Sequence, residues 1–369
     1  MIKIVHIARP ISGVGVYIDL LTKYIDDKKF TNVLICNIED DLIEPRNKSG
    51  KKIKIHHANL FRKINPIKDL YALISIIKII KNEQPDIIHC HSAKAGILGR
   101  IAGFYLKIKT FYTPHAYSYL SQKNKIKRSI YKFIEKTVSS LSAKTLACST
   151  SEYNRTVKEL KIDKEKLCIW NNSIEEHIDL TTIDIPVDLP EKYICTIGRP
   201  SYQKNTELLI NSIIDVKIQI KDIHLVILGA GLYSPSLEKI NNLIEKHQLK
   251  SNVTIIPWLD RLPTLKTLEN SLFYVSTSKY EGLPYSLIEA LALSKPCIVT
   301  NVDGNKDLVS NNENGFVVNE DKLEIAEKII LLLTQDLLRK EMGEKSKGLF
   351  LAKHSIIKNI SKLEEIYLD

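Results

Sequence analysis

The chain has few of the residues and runs that mark several whole classes of protein. Its 369 residues include only 14 glycines and 13 prolines, and 26% of them are charged, a composition that excludes collagen-like, coiled-coil and mostly disordered proteins. No uncharged apolar run reaches 18 residues, so we expect no membrane-spanning helix. The six cysteines form no C-x-x-C pair, which argues against a redox motif or a cysteine-bound metal.

The beginning of the chain also lacks a targeting pattern. The segment from Met1 to Ile7 has neither a long apolar stretch nor a small-residue cleavage site, so no signal peptide is expected. We therefore expect a cytoplasmic protein whose cysteines are reduced thiols. A chain of this length is long enough for two domains.

Charge is distributed unevenly along the chain. Residues 1–175 hold 31 Lys and Arg against 16 Asp and Glu, a net charge of +15, whereas residues 176–369 hold 22 against 27, a net charge of −5. A strongly basic half indicates an anionic partner. Nucleic acid, an anionic membrane surface and a phosphorylated substrate all fit at this point.

Apolar, β-prone runs alternate with helical patterns along the chain, which is typical of parallel sheets covered by helices. The alternation breaks near Pro186 and Pro190 and then resumes. We predict an α/β protein with four parts: a Rossmann-like N-terminal domain over 1–175, a linker over 176–190, a Rossmann-like C-terminal domain over 191–350, and a last helical stretch, 351–369, packed back on the first domain.

The strongest motif follows an apolar strand and leads into an apolar helix. It reads K-Y-E-G-L-P-Y-S-L-I-E-A over 279–290, with Glu281 in the loop and Glu289 inside the helix. A helix N-terminus suits a phosphate, and flanking carboxylates can hold sugar hydroxyls. The alternative is an exposed loop glutamate and a solvated helix glutamate.

These two glutamates, with seven residues between them, resemble the E-x7-E motif of family 4 glycosyltransferases. The resemblance extends through nearly the whole chain in the family's order. It implies the GT-B fold, in which two doubly wound Rossmann-like domains face a cleft, and a reaction that retains the configuration of a sugar taken from a nucleotide-sugar donor.

The resemblance also implies donor-binding residues in the second domain. The segment I-G-R-P-S-Y-Q-K, 197–204, is similar to the family's phosphate-binding segment, and P-W-L, 257–259, lies where the family holds the base. A packed core tryptophan and a pair of surface cations are the alternatives. The implied donor-binding residues are Arg199, Lys204, Trp258, Leu259, Glu281, Gly282, Leu283, Ser286, Leu287 and Glu289.

In the first domain the resemblance implies a glycine turn at Gly13 and Gly15, whose backbone approaches the donor diphosphate. It is not a full G-x-G-x-x-G, which counts against NAD binding. His115, in T-P-H-A, resembles the family histidine that touches the donor sugar, and the alternative is a surface or satisfied core histidine. The catalytic set implied is His115, Glu281, Arg199 and Lys204.

Residues after the fourth strand are candidates for the acceptor side. The segment H-C-H-S-A-K covers 89–94, and we expect contacts to the acceptor from His91, Ser92 or Lys94, the alternative for Ser92 being a helix cap. Although His89 and His91 share one face of a strand, no acidic or cysteine partner has metal-ligand spacing. We therefore predict no metal site and no required cofactor.

Two basic segments predict contact with an anionic membrane surface. One interleaves six cations with apolar residues over 123–136, and the other contains Phe61, Arg62, Lys63 and Lys68. A solvated helix face is the alternative for each. No nucleic-acid motif is found, so nucleic acid is not expected as a partner.

Together these observations predict a cytoplasmic glycosyltransferase at the inner face of the membrane. It would transfer a hexose or N-acetylhexosamine, from a UDP-sugar by preference, to a lipid-linked or glycan acceptor, and the resemblance is to bacterial O-antigen and capsule members. Two alternatives stay open: a nucleotide-sugar epimerase of the same fold, and a non-catalytic GT-B partner subunit.

Overall fold

The computed structural model describes residues 1–37, 44–61, 64–231 and 234–369. The chain forms two compact units, Met1–Ser173 with Ile356–Asp369, and Ile174–Ser355. The segment 176–190 therefore lies within the second unit. Among the described residues, no helix has the length and apolarity needed to cross a membrane.

The first unit is built on a seven-stranded parallel sheet in the order β3-β2-β1-β4-β5-β6-β7. Its strands are mostly short runs of buried, β-branched or aromatic residues, as expected for a sheet covered on both faces. The strands are β1 Ile2–Ile7, β2 Phe30–Cys36, β3 Lys54–His57, β4 Ile87–His91, β5 Lys109–Thr113, β6 Lys144–Ala147 and β7 Leu167–Ile169.

The helices of the first unit connect these strands or close the chain. α2 begins with Pro66 directly after Asn65, whose side chain accepts a hydrogen bond from the Lys68 amide, an ordinary helix start. The helices are α1 Gly13–Tyr24, α2 Pro66–Glu83, α3 Ala93–Leu106, α4 Lys125–Ser139, α5 Thr150–Arg155 and, at the end of the chain, α13 Ile356–Leu368, which packs against α1.

Helix α3 lies unusually close to the sheet. A β-carbon placed on Gly99 would lie 2.3 Å from the sulfur of Cys90, and one on Gly96 would lie 2.3 Å from the ring of Tyr112. Only glycine permits this approach. The close packing places the beginning of α3 directly beside the carboxyl ends of β4 and β5.

The second unit contains a six-stranded parallel sheet in the order β10-β9-β8-β11-β12-β13. Its strands are β8 Ile194–Ile197, β9 Leu225–Ala230, β10 Val253–Pro257, β11 Tyr274–Ser276, β12 Cys297–Thr300 and β13 Gly315–Val318. Its helices are α6 Thr206–Gln219, α7 Leu237–Lys246, α8 Arg261–Asn270, α9 Tyr285–Ala292, α10 Asn305–Leu308, α11 Lys322–Thr334 and α12 Asp336–Lys353.

The strand orders determine which loops meet. In a parallel sheet all strands end at the same edge, and a crevice forms where the winding direction reverses. In the first unit that reversal lies between β1 and β4, and in the second it lies between β8 and β11. The segments that follow these strands carry most of the residues predicted to be functional.

Helix α8 was not predicted from the sequence. It contains Pro263, which normally argues against a helix interior, but this proline is the third residue of the helix, where its missing N–H costs nothing. Proline at this position therefore marks a helix start, and the helix brings Arg261 into the site described below.

Candidate functional site

The loops after β8 and β11 meet at the carboxyl edge of the second sheet. Nζ of Lys204 lies 2.7 Å from Oε1 of Glu281, and the same carboxylate accepts hydrogen bonds from Oγ of Ser278 at 2.8 Å and Nε2 of Gln203 at 3.3 Å. Glu281 is buried. The pattern of the sequence did not reveal Gln203 and Ser278, although both lie within a few residues of the predicted pair.

The backbone at the end of β8 is shaped to hold Lys204. Gly198 has a φ of 143°, and a β-carbon there would lie 2.8 Å from Cε of Lys204. Glycine is therefore required for the lysine chain to lie across this turn. Arg199 comes next, half-buried, so the two predicted cations follow the same strand end.

The second glutamate of the motif is also held by a cation. Glu289 lies in the second turn of α9, is buried, and accepts a hydrogen bond of 3.1 Å from Nε of Arg261. Nη1 of Arg261 lies 3.1 Å from Oε2 of Glu175. Burial raises the pKa of the Glu289 carboxyl, and Arg261 opposes that rise.

Arg261 is thus a site residue that reading the sequence missed. Its position, two residues after the quoted P-W-L segment, was the available signal. Trp258 itself is 64% exposed, so the alternative of a packed core tryptophan is wrong. Leu259 is half-buried.

The leucine side chains in the loop and helix of the motif face the interior of the unit. Leu283 and Leu287 are buried in the unit, so only their main-chain groups can reach a ligand. The hydroxyl of Tyr274 donates to Oγ of Ser286 at 2.9 Å. Close beside them, a β-carbon on Gly304 would lie 2.5 Å from the carbonyl oxygen of Gly282, so the loop after β12 packs tightly on the motif.

In the first unit, His115 follows β5 with a φ of 52°, an uncommon conformation for a residue that is not glycine. The next amide, of Ala116, donates to Oε1 of Glu152 at 2.9 Å and holds the turn. The ring of Tyr17 packs edge-on against His115 with centroids 4.6 Å apart. Desolvation lowers the pKa of His115 to about 3, so its ring is neutral.

The predicted acceptor-side residues differ in their surroundings. His91 is buried, with Nδ1 3.3 Å from Nε2 of His115. The Ser92 side chain makes no capping hydrogen bond to α3, so the capping alternative is wrong. Nζ of Lys94 lies 2.6 Å from Oδ1 of Asp69, so this lysine is held in an ion pair.

The glycine turn begins α1. Gly13 is the first residue of that helix and is half-buried. A β-carbon on Gly15 would lie 2.7 Å from the carbonyl oxygen of Pro10. Packing alone therefore requires glycine at position 15, whereas Gly13 retains an accessible backbone.

A third histidine joins the two seen in the sequence. Ligand atoms of His6, His89 and His91 lie within 4.8 Å of one another, and all three rings are buried. Their nitrogens, however, already have partners in the protein: His89 lies 2.6 Å from the Tyr367 hydroxyl and 2.8 Å from that of Thr113. The absence of a required metal stays a prediction.

Two family models match the chain, one in each half. The family model for glycosyltransferase family 4 matches residues 11–177, and the model for glycosyl transferases group 1 matches residues 183–349. The chain is 28% identical to UDP-Gal:alpha-D-GlcNAc-diphosphoundecaprenol alpha-1,3-galactosyltransferase of Escherichia coli over 93% of its own length and 90% of that protein. It is 27% identical to the capsular polysaccharide biosynthesis glycosyltransferase CapM of Staphylococcus aureus, over 80% and 81%.

Solved structures show the same fold. The Anabaena protein HepE, crystallised with UDP and glucose, superposes with a TM-score of 0.83 at 14% identity, covering 100% of this chain and 99% of that one. The predicted fold class, α/β with two Rossmann-like domains of GT-B type, is confirmed. Since the two family models together match most of the chain, one in each half, this protein belongs to the family 4 glycosyltransferases.

Proposed function

We propose that this protein is a retaining transferase that moves a hexose or N-acetylhexosamine from a UDP-sugar to a lipid-linked or glycan acceptor in bacterial surface-polysaccharide synthesis. The observation that carries the proposal is the placement of Lys204 and Glu281, 2.7 Å apart, at the point where the second sheet reverses its winding. The activity of the Escherichia coli relative, a galactosyl transfer from UDP-Gal, supports this donor class.

In the proposed reaction the bond between the sugar's anomeric carbon and the diphosphate breaks, and a new bond forms to the acceptor hydroxyl on the same face. The departing diphosphate takes the acceptor's proton. Lys204, Arg199 and the first amides of α9 stabilise the charge that develops on the diphosphate. Glu281 and His115 position the sugar, and Glu289 holds the ribose. No metal is required in this scheme.

The test is a donor screen on the purified protein. Thermal unfolding is followed with UDP, GDP and a panel of their sugars, with and without EDTA, and release of nucleotide from each sugar is measured. We expect one nucleotide to raise the melting temperature and one of its sugars to release nucleotide slowly in EDTA. NMR of the transferred product should give the donor's anomeric configuration.

Other outcomes would contradict the proposal. Conversion of a UDP-sugar to its epimer with no acceptor would make the protein an epimerase. If no nucleotide shifts the melting temperature at millimolar concentration, the protein is better described as a non-catalytic partner. Loss of activity in EDTA that magnesium restores would overturn the metal-free scheme.

We also propose that the first unit binds the inner face of an anionic membrane. Helix α4 carries apolar side chains on its outer face: Ile126, Ile130 and Phe133 are exposed, while Glu135 is buried. Cations lie between these apolar residues, and neighbouring α3 and α2 add further exposed apolar side chains. They are Ile67, Leu70, Tyr71, Ile74, Phe104 and Tyr105.

An outward apolar stripe on contiguous helices, interleaved with lysine, matches the chemistry of an anionic lipid surface. Helices α2 and α4 each contact α3, so the three helices that carry these exposed apolar residues are neighbours. In the second basic segment, Lys68 lies over the ring of Phe61, whereas Arg62 and Lys63 lie outside the described residues.

A further inference from the structure

A chain of hydrogen bonds connects the interior of the first sheet to His115. Oδ1 of Asn32, on β2, lies 3.0 Å from Nε2 of His6, on β1. Nδ1 of His6 lies 3.2 Å from Nε2 of His91 at the end of β4, and Nδ1 of His91 lies 3.3 Å from Nε2 of His115. The adjacency of β2, β1, β4 and β5 in the sheet makes this chain possible.

All three rings are neutral. Desolvation lowers the pKa of His6 to about 4 and that of His115 to about 3, and it lowers the pKa of His91 well below its ordinary value. A neutral imidazole carries one N–H and one lone pair. Each hydrogen bond between two rings needs the N–H of one ring and the lone pair of the other. The tautomer of one ring therefore dictates the tautomer of the next.

Asn32 sets the direction in which these hydrogen bonds donate. In the structure Oδ1 of Asn32 faces His6 and accepts, while Nδ2 of Asn32 has no partner among the described residues. With this amide orientation His6 is protonated on Nε2, and its Nδ1 must accept from His91. His91 is then protonated on Nε2, and its Nδ1 accepts from Nε2–H of His115. This arrangement leaves Nδ1 of His115, at the strand end, as a lone-pair acceptor.

We propose that Asn32, His6 and His91 are positioning residues that set the tautomer of His115, so that its Nδ1 atom accepts a hydrogen bond from a substrate hydroxyl. The identity of that substrate as a sugar rests on the proposed function. The tautomer itself does not, because it is a property of the protein without ligand. Because Nδ1 of His115 would then carry a lone pair, the site would select a substrate hydroxyl over a group that cannot donate a hydrogen bond.

A buried metal is the competing use of these rings. An ion between His6 and His91 would need both lone pairs directed at one point, but their facing nitrogens share a hydrogen bond. An ion on His89 would have to displace the hydroxyl of Tyr367 or Thr113. The geometry therefore favours the hydrogen-bonded chain.

Nitrogen-15 NMR of the histidine rings in the full-length protein tests the proposal, since the two ring nitrogens of a neutral imidazole resonate far apart. Signals are assigned with a His115→Gln variant. In the wild type we expect His115 to carry its proton on Nε2. Asn32→Leu, which removes the first acceptor, should allow both tautomers of His115.

Asn32→Asp has almost the same shape and gives a sharper outcome. A carboxylate beside His6 favours the doubly protonated ring of His6. This ring then donates from Nδ1 to His91, so the direction of every hydrogen bond in the series reverses. His115 becomes protonated on Nδ1. Tyr367→Phe is the matched control: it removes the 2.6 Å bond to His89 but leaves the chain intact, and His115 should keep its wild-type signal.

Three results would overturn the proposal: a wild-type His115 protonated on Nδ1, an unchanged His115 signal in either folded Asn32 variant, or about one bound zinc per chain by elemental analysis of purified protein. If the tautomer responds as expected but no nucleotide-sugar binds, the proposed function fails while the tautomer chain stands.

Discussion

Nζ of Lys204 lies 2.7 Å from Oε1 of Glu281, although the two residues are 77 positions apart in the chain. Both side chains are largely buried, the glutamate more than the lysine. A ligand that brings a diphosphate to the lysine and a sugar to the glutamate would find the two groups already oriented by each other. This pair is the centre of the candidate site, and the first prediction concerns it.

Replacing Lys204 by alanine should lower turnover by roughly 10²–10³, the scale for loss of one group that stabilises developing charge. Removal of the cation also leaves Glu281 buried without its closest partner. The measurement is the steady-state rate of transfer with the donor found in the screen. Lys322→Ala, which removes an exposed ion pair with Asp215 in the same unit, is the control and should keep full activity.

Replacing Arg261 by leucine should weaken nucleotide binding by roughly tenfold or more, as expected for loss of a charged hydrogen bond. Without the guanidinium, burial raises the pKa of Glu289 further, so the carboxylate that we assign to the ribose is protonated more often. Calorimetric titration with UDP measures the effect. Lys266→Leu, which removes an ion pair with Glu269 on the same helix, should bind UDP normally; equal loss in both variants would refute the assigned role.

The Arg100–Glu135 ion pair is buried, with the guanidinium 2.9 Å from the carboxylate and stacked on the ring of Tyr112. Arg100→Met alone should lower the free energy of unfolding by about 3–5 kcal/mol, because it leaves a buried charge without its partner. Replacing the pair and the Tyr112 hydroxyl together, as Arg100→Met, Glu135→Leu and Tyr112→Phe, should recover most of that loss. Urea unfolding measures the free energy of unfolding of both variants. A triple variant less stable than the single one would contradict this account.

The desolvated histidines of the first unit predict an acid-sensitive fold. Desolvation lowers the pKa of His6 from 6.5 to about 4 and that of His115 to about 3. Below about pH 6.5 the unfolded chain binds protons that the folded chain does not bind until about pH 4, so the free energy of unfolding should fall as the pH falls through this window. Each such histidine contributes about 1.4 kcal/mol per pH unit within this window.

The measurement is urea unfolding at about pH 7 and about pH 5. His6→Gln should show a shallower dependence on pH, because one of the contributing rings is gone. His224→Gln, which changes a half-buried histidine of the second unit, should leave most of the slope in place. A stability that stays constant between the two pH values would show that the buried rings bind protons in the folded state.

Membrane binding should depend on the outward stripe of α4. The triple variant Ile126→Ser, Ile130→Ser and Phe133→Ser should lose most of its cosedimentation with vesicles that contain phosphatidylglycerol, since both apolar burial and the basic face contribute to binding. Vesicles of phosphatidylcholine alone should bind the wild type weakly. Ile218→Ser, at an exposed position of α6, is the control, and a loss equal to that of the triple variant would remove α4 from the proposal.

The local pattern of apolar and polar residues was enough to predict the fold class. Alternating apolar strands and amphipathic helices, read with the glutamates of the motif at 281 and 289, predicted two Rossmann-like domains and the family. Helix α8 was missed because Pro263 reads as a breaker unless its place in the first turn is known. Trp258 was left open between base contact and core, since a lone tryptophan has no periodicity to show which way it points.

By itself the sequence determined the alternation of strands and helices, the basic first half and the loops in which Lys204, Glu281 and His115 lie, because these depend on residue type and near neighbours. Only the tertiary structure decided that Lys204 meets Glu281, that Arg261 holds Glu289, and that His6 joins His91. The first and third contacts depend on which strands are neighbours in a sheet, whereas the second depends on the packing of α8 against α9. Strand order follows from packing of the whole unit, and no local period in the sequence carries it.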